Sequence, residues 1–299
     1  MRIAFSPVYH YRLPPKHRFP MEKYDLLPEQ LLYEGTVEQS DFFAPPQLSD
    51  EHLFLTHERE YVRRLRTGQL TRKEERAIGF PLSPKLVTRG LHIAQGTLDC
   101  ARFAMQEGVA LNIAGGTHHS FADRGEGFCV FNDIAIAANV LLQAGEVQRV
   151  IVVDLDVHQG NGTAKLFERE PRVFTLSFHG DRNYPLRKES SDLDVAFPDG
   201  TSDEVYLRKL REILPDLLTR FRPQLVFYLS GVDVLAADKL GRLALSVDGC
   251  RERDAFVFQT CHALSLPVAV AMGGGYADRL ATIVEAHANT YREAERIWG

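Results

Sequence analysis

The sequence predicts an α/β fold of three layers, in which helices cover both faces of a central parallel β-sheet. Short apolar runs rich in β-branched residues alternate along the chain with longer amphipathic stretches. This alternation is typical of parallel strands joined by crossover helices. Several of the runs are apolar at every position, as expected for strands that helices cover on both faces.

Six apolar runs predict strands at residues 2–5, 110–114, 150–154, 173–178, 225–229 and 267–272. Four longer stretches predict helices at residues 88–105, 132–144, 202–220 and 249–263. The segment 5–84 is rich in proline and aromatic residues, with two helical pieces at 26–33 and 58–66, and we expect it to form a rim and loops. Because no internal repeat or linker interrupts the chain, we predict a single domain over residues 1–299.

Composition and charge exclude several classes of function. The chain has 299 residues, of which 44% are hydrophobic, and this is enough apolar material for a sizeable core. A net charge of -5 provides no general basic field for direct binding of nucleic acid. No stretch approaches the roughly 18 apolar residues of a membrane span, so we expect a protein of the cytoplasm, or of an organelle reached by an unseen signal, without a membrane partner. Four cysteines without a CxxC pair indicate reduced, mostly buried thiols.

Polar residues follow four of the predicted strands directly. They are GGTHH at 115–119, DLDVH at 154–158, VD at 232–233 and GGGY at 273–276. In open α/β sheets, ligands bind beyond the carboxyl ends of the strands. The sequence therefore predicts a functional site at this edge of the sheet. By contrast, we interpret the charged runs at 63–66 and 72–76 as solvated helix faces.

The DLDVH segment is a candidate metal site. Alternate residues of a strand point to the same face, so a strand that continued through His158 would align Asp154, Asp156 and His158. A carboxylate and an imidazole from this segment, with Asp233, would supply two oxygens and one nitrogen, as a catalytic zinc or iron(II) requires. The alternative is that both aspartates cap the following helix and that the histidine is simply packed.

The histidine pair and the tyrosine also have two interpretations each. An imidazole with a pKa near about 6.5 can take a proton from water at neutral pH, although His118 and His119 could equally be packed or surface residues. Tyr276 is either a core aromatic whose hydroxyl finds a backbone partner or a donor to a developing oxyanion.

Five motifs in order resemble the histone deacetylase family. They are GGTHHSFADRGEGFCVFND, DLDVHQGNG, TLSFHG, LSGVDVLAADKLG and GGGY, and the likeness runs from about residue 2 to the C-terminus. The resemblance implies an arginase/deacetylase-like fold. It also implies a metal-dependent amidohydrolase that removes acetyl or longer acyl groups from lysine side chains of peptides and proteins or from related acylated amines.

The resemblance implies a role for each site residue. Asp156, His158 and Asp233 would bind zinc or iron(II). His118 and His119 would form the catalytic pair, with Asp154 as the partner of His118, and Tyr276 would polarise the acyl carbonyl. Gly127, Phe128 and Tyr184 would line the channel that admits the acylated chain. Asp154, Asp156, His158, Ser177 and Phe178 are similar to a site for a monovalent cation, K⁺ or Na⁺.

Asn161 departs from the pattern of the best-known nuclear members, which carry an aspartate there to orient the histidine equivalent to His119. Together with HQGNG, HRFPMEKY and DKLGRLALS, it resembles the class IV branch and its bacterial relatives. These relatives include enzymes that prefer long acyl chains, so a histone substrate is not implied. An acylpolyamine or another small acylated amine stays open as the substrate.

The same residues bear on three competing functions. An arginase-like site with two metals would need carboxylates where Gly160 and Leu235 stand, so the ligands support one metal. A dinucleotide site would need the full G-x-G-x-x-G, but Lys165 stands at the third position after Gly162. A non-catalytic protein that binds acyl-lysine stays open, although none of the motif residues is missing. The sequence predicts no oligomeric state.

Overall fold

The computed structural model describes all residues, 1–299, and its strands form one sheet of eight. The strands are β1 (Arg2–Ala4), β2 (Phe42–Phe43), β3 (Val109–Asn112), β4 (Val150–Asp154), β5 (Val173–Gly180), β6 (Leu193–Phe197), β7 (Leu225–Leu229) and β8 (Val268–Ala271). Their order is β2-β1-β3-β8-β7-β4-β5-β6, and every neighbouring pair is parallel.

Ten α-helices surround this sheet, and the predicted three-layer fold is confirmed. They are α1 (Lys23–Tyr33), α2 (Asp50–Leu53), α3 (Arg59–Arg66), α4 (Arg72–Ile78), α5 (Pro84–Glu107), α6 (Asp133–Gln143), α7 (Asn161–Phe167), α8 (Asp203–Phe221), α9 (Val247–Ala263) and α10 (Leu280–Trp298). The helices form two groups. In one group, helices pack around α5 and α6, and in the other α1, α8, α9 and α10 pack together. No helix is both long and apolar enough to cross a bilayer.

The four central strands are buried at every position, because helices cover both of their faces. They are adjacent in the order β3-β8-β7-β4. Their last residues, Asn112, Ala271, Leu229 and Asp154, pair with one another across the sheet. The four following loops therefore begin at the same level, side by side.

All six predicted strands are present, with bounds that differ by a few residues. The sequence analysis missed β2 and β6, which lie at the two edges of the sheet. β2 has only two residues, and β6 alternates between exposed positions and positions that are at least half-buried, because one of its faces meets solvent. It also missed α2 and α10, whereas the charged run at 72–76 lies on α4, as expected. The four cysteines are buried and unpaired, as predicted.

Helix α5 begins earlier than predicted, and the local sequence explains this. Ser83 accepts a hydrogen bond from the backbone N–H of Leu86, and Pro84 occupies the first helical turn. A serine cap followed by proline is a favourable helix start, because proline lacks only an N–H that would have no partner in the helix. The rim segment is thereby joined directly to the long helix that packs on β1, β3 and β8.

Candidate active site

The loops after the four central strands bring the predicted metal ligands together. Asp156, His158 and Asp233 are buried, and one ligand atom from each lies within 4.8 Å of the others. The Nδ1 of His158 lies 3.0 Å from a carboxylate oxygen of Asp156 and 3.1 Å from one of Asp233. Two carboxylate oxygens and one imidazole nitrogen fit a catalytic zinc or iron(II).

Strand β4 ends at Asp154, so the expected continuation through His158 is wrong. A tight loop aligns the ligands instead. Within it, the N–H of Asp156 donates to Asp154 (3.2 Å) and the N–H of His158 donates to Asp156 (3.0 Å). The helix-capping alternative is also wrong, because the residue that caps α7 is Gly160 and no side chain caps that helix.

Each of the two carboxylates also accepts a hydrogen bond from the backbone of a neighbouring loop. The N–H of Val157 donates to Asp233 at 2.9 Å, and the N–H of Gly274 donates to Asp156 at 2.9 Å. Burial opposes the charge of His158, but hydrogen bonds to Asp156 and Asp233 raise its pKa to about 10. The two carboxylates thus make the surroundings of His158 favourable for positive charge, as expected of a buried anionic site that suits a metal cation.

The two adjacent histidines face different partners. Nδ1 of His118 lies 2.7 Å from Asp154, and Nδ1 of His119 lies 2.7 Å from the amide oxygen of Asn161. Burial opposes the charge of His118, but Asp154 raises its pKa. Burial lowers the pKa of His119 well below its usual value, and the nearby His118 lowers it further. The surroundings therefore favour the charged form of His118 and the neutral form of His119.

Tyr276 lies beside this group, with its ring 6.4 Å from that of His158. Its backbone N–H donates to Asp238 at 2.6 Å. The hydroxyl has no hydrogen-bond partner in the protein, whereas the hydroxyls of Tyr61 and Tyr291 donate to backbone carbonyls. The interpretation of Tyr276 as a core aromatic with a backbone partner therefore does not hold.

A cavity of about 660 Å³ connects His119, His158 and Tyr276 with the surface. All three predicted channel residues, Gly127, Phe128 and Tyr184, line it. The ring of Tyr184 lies 4.9 Å from that of His119. Gly127 has a φ of +52°, and a Cβ there would come within 2.5 Å of the His119 ring. Glycine at this position therefore keeps the channel open beside the histidine.

The residues of the predicted monovalent-cation site lie at the end of β4, in the loop that follows it and within β5. Asp154 pairs with Ser177 across these two strands. Asp154, Asp156, His158, Ser177 and Phe178 are all buried. The hydroxyl of Ser177 is already hydrogen-bonded to Nδ1 of His179 at 3.0 Å. Binding of K⁺ or Na⁺ there stays a prediction.

A model of the histone deacetylase domain matches residues 17–291. The chain belongs to the histone deacetylase family. Histone deacetylase 2 of Arabidopsis thaliana is 30% identical over 277 residues, which cover 90% of this chain and 72% of the relative. An uncharacterized protein of Picosynechococcus is 43% identical over 296 residues, 99% of each chain.

Solved structures of the histone deacetylase family also share the fold. The crystal structure of a histone deacetylase homolog complexed with SAHA has a TM-score of 0.85 at 23% identity, covering 99% of this chain and 84% of that one. The resemblance stated from the motifs is thus confirmed for the family and the fold. Placement in the class IV branch stays a prediction.

The sequence analysis missed three residues that hold the site loops of this deacetylase-family chain. Arg253, fully buried, donates to the backbone oxygens of Leu155 (3.1 Å) and Gly231 (2.7 Å), and so ties the loops after β4 and β7 together. Lys23, also fully buried, donates to Gly273 at 3.2 Å, and burial lowers its pKa to about 8. Arg253 stands in no motif, so no local signal marks it, whereas the HRFPMEKY segment, which contains Lys23, is the signal that could have identified that residue.

Asp133 is the third missed residue, and it supports the loop of the histidine pair. Its carboxylate accepts hydrogen bonds from the backbone N–H of Gly116 (3.2 Å) and Thr117 (2.8 Å) and from the hydroxyl of Thr97 (2.6 Å). The side chain is buried. Its place in the FND end of the first motif is the signal that could have identified it.

We predict that Asp133→Asn destabilises the protein by roughly 1–3 kcal/mol, because an amide in place of the carboxylate leaves buried donors without an acceptor. Urea unfolding measures this loss, and hydrogen exchange at Gly116 and Thr117 should become faster. Asp123→Asn is the matched control, since that carboxylate is 55% exposed. Unchanged stability and exchange in Asp133→Asn would show that this network does not hold the loop.

Proposed function

We propose that the protein is a metal-dependent amidohydrolase that removes acetyl or longer acyl groups from lysine side chains or related acylated amines. One observation carries this proposal. The buried Asp156–His158–Asp233 ligand group meets a channel to the surface at His158, and His119 of the histidine pair and Tyr276, with its free hydroxyl, line the same channel. The products would be a carboxylate and an amine.

Asp156, His158 and Asp233 would hold zinc or iron(II). When bound, the metal supplies Lewis acidity toward the acyl carbonyl and toward water. Asp154 at the end of β4 and Ser177, its partner within β5, would hold K⁺ or Na⁺ as a structural ion, together with Asp156, His158 and Phe178.

The histidine pair would divide proton transfer from charge stabilisation. Because the amide oxygen of Asn161 accepts from Nδ1 of His119, Nε2 is left as the proton acceptor. Its low pKa keeps His119 neutral and able to take the proton of the attacking water, which it later delivers to the leaving amine. His118, paired with Asp154, would stay charged and stabilise the negative charge that develops.

Tyr276 would donate its free hydroxyl to the developing oxyanion. Asp238 holds the backbone of this residue, and Phe128 lies 6.0 Å from its ring, so its orientation is set before substrate enters. Such preorganised donors stabilise the transition state more than the ground state.

A turnover panel tests the proposal directly. One series contains acyl-lysine peptides of increasing acyl length and the other contains acylpolyamines, each with the zinc-loaded and the iron(II)-loaded protein. Hydrolysis of any of these amides supports the amidohydrolase. Binding of acyl-lysine peptides without turnover, in protein of full metal content, would favour the non-catalytic alternative.

For the metal, we predict one divalent ion per chain, because the cluster offers one ligand set. Elemental analysis of purified protein measures this. Asp233→Ala should lose most of the metal, whereas Asp248→Ala, which replaces an exposed aspartate of α9, should keep it. Two divalent ions per chain, or a full content of the divalent metal in Asp233→Ala, would contradict the assignment.

For Tyr276→Phe, we predict a loss of kcat on the order of 10² or more, as for removal of one oxyanion donor. The fold, the metal content and the binding of SAHA should be retained, since only one hydroxyl is removed. Steady-state kinetics with an acetyl-lysine peptide and a SAHA titration measure these quantities. Turnover near that of the wild type would mean that Tyr276 does not serve the reaction.

For Asn161→Asp, we predict that the acidic limb of kcat/KM moves to higher pH. The new carboxylate would stabilise the protonated His119 ring and raise its pKa by roughly 1–3 units. A base with a raised pKa becomes protonated, and so inactive, at a higher pH. Gln106→Glu, an exposed position at the end of α5, adds the same charge away from the site. If the acidic limb of kcat/KM lies at the same pH in Asn161→Asp as in this control, His119 is not the base.

A further inference from the structure

The mouth of the channel is rich in positive charge. Four arginines line it, Arg18, Arg76, Arg182 and Arg242, and Glu126 is the one carboxylate in the lining. The protein as a whole carries a net charge of -5, so this concentration of arginine is opposite in sign to the rest of the molecule. We call these four residues the arginine rim.

Two members of the arginine rim have no carboxylate partner. The guanidinium of Arg18 lies 5.0 Å over the ring of Phe128, and Arg76 donates only to the backbone oxygen of Arg72 at 3.1 Å. Both side chains belong to exposed residues. They flank the Gly127–Phe128 wall of the channel, where an incoming chain must pass.

Two of the carboxylates near the mouth are already engaged. Glu126 accepts hydrogen bonds from Arg124 (2.8 Å) and from the hydroxyl of Tyr184 (2.6 Å). Glu74, on the same helix as Arg76, pairs with Arg64 at 2.7 Å. Neither carboxylate is therefore free to neutralise Arg18 or Arg76.

Across the channel, Arg182 and Arg242 share a single carboxylate. Asp199 lies 3.2 Å from Arg242 and 3.9 Å from Arg182. One negative charge cannot neutralise two guanidinium groups, and the side chain of Arg182 is 74% exposed. Both sides of the mouth thus keep an excess of positive charge.

We propose that the arginine rim selects acylated amines that carry a carboxylate or phosphate outside the channel, and that it disfavours cationic substrates. This inference rests on the amidohydrolase function proposed above and specifies its substrate class. Guanidinium groups bind carboxylates and phosphates through paired hydrogen bonds, and a cleft lined by one sign of charge concentrates ligands of the opposite sign. Acylpolyamines and lysine-rich tails carry the wrong charge for this mouth.

The test uses the metal-loaded protein and three acetyl-lysine peptides that differ only in their flanking residues, which are glutamate, serine or lysine. We expect kcat/KM and peptide affinity to be about tenfold higher with glutamate than with lysine flanks at low salt, and serine to be intermediate. The ratio should shrink in high salt, because exposed charges are screened. Equal values, or a preference for lysine flanks, would overturn the proposal.

The variant Arg18→Ser/Arg76→Ser tests whether the rim causes the preference. The glutamate-to-lysine ratio should fall to within about twofold of unity, because the two unpaired cations are removed. Arg169→Ser is the matched control. It removes an exposed arginine without an ion pair, located just after α7, and should leave the ratio at its wild-type value. A preference that survives in the double variant would overturn the role of the rim.

A pair of small substrates tests whether the acidic group that the arginine rim binds belongs to a small molecule or to a peptide. The compounds 6-acetamidohexanoate and N-acetylcadaverine have the same chain length and differ in the charge at its end. A preference for the carboxylate compound supports the rim and indicates a small acidic substrate. A preference seen only with the peptides supports the rim and indicates an acidic peptide. Faster turnover of N-acetylcadaverine would overturn the proposal.

Turnover and binding separate the two proposals. Hydrolysis of the serine-flanked peptide tests the amidohydrolase without depending on rim charge. If that peptide is bound but not hydrolysed, the proposed function fails, while fluorescence anisotropy of the glutamate-flanked and lysine-flanked peptides still measures the selectivity of the rim.

Discussion

Burial of the carboxylates of Asp156 and Asp233 at the centre of the sheet edge is the constraint on which the rest of the site depends. An ionised carboxylate removed from water costs several kcal/mol unless hydrogen bonds and opposite charge compensate it. Here the backbone N–H groups of Val157 and Gly274 and the ring of His158 supply that compensation. The loops after β4, β7 and β8 must therefore keep one relative geometry, and a divalent cation fits at their meeting point.

The histidine pair shows how the same environment produces two different acid–base groups. The ring centres of His118 and His119 are 4.1 Å apart, so protonation of one disfavours protonation of the other. The carboxylate of Asp154 stabilises the protonated form of His118. The amide of Asn161 carries no charge, so it gives the protonated form of His119 no comparable stabilisation. An aspartate at position 161 would weaken this division.

The interior and the mouth of the channel are built on different principles. Inside, Arg253, Asp133 and Lys23 are buried and tie the loops to one another through hydrogen bonds, so the reacting groups are held before substrate binds. Outside, charges stay exposed and partly unpaired, where they contribute little to stability but can act on an approaching ligand. The interior is therefore where the proposed hydrolysis would take place, and the mouth is where the proposed selection between amines would act.

The sequence by itself determined the central strands, the order of the motifs and the identity of the residues at the strand ends. Buried strands such as β4 and β7 are apolar at nearly every position, and this pattern is local. The edge strand β6 was missed because its alternation is weak, and the single-face argument for residues 154–158 was wrong because the chain turns after Asp154.

Only the tertiary structure decided which distant residues share an environment. Arg76 lies on a solvated helix, as the charge pattern indicated, yet it also lines the mouth with Arg18, Arg182 and Arg242 from three other segments. Arg253 stands in no motif, but it bonds to loops that lie 98 and 22 residues away in sequence. Hydrogen bonds and electrostatic fields act through space, so neither hydropathy nor spacing along the chain encodes these groupings.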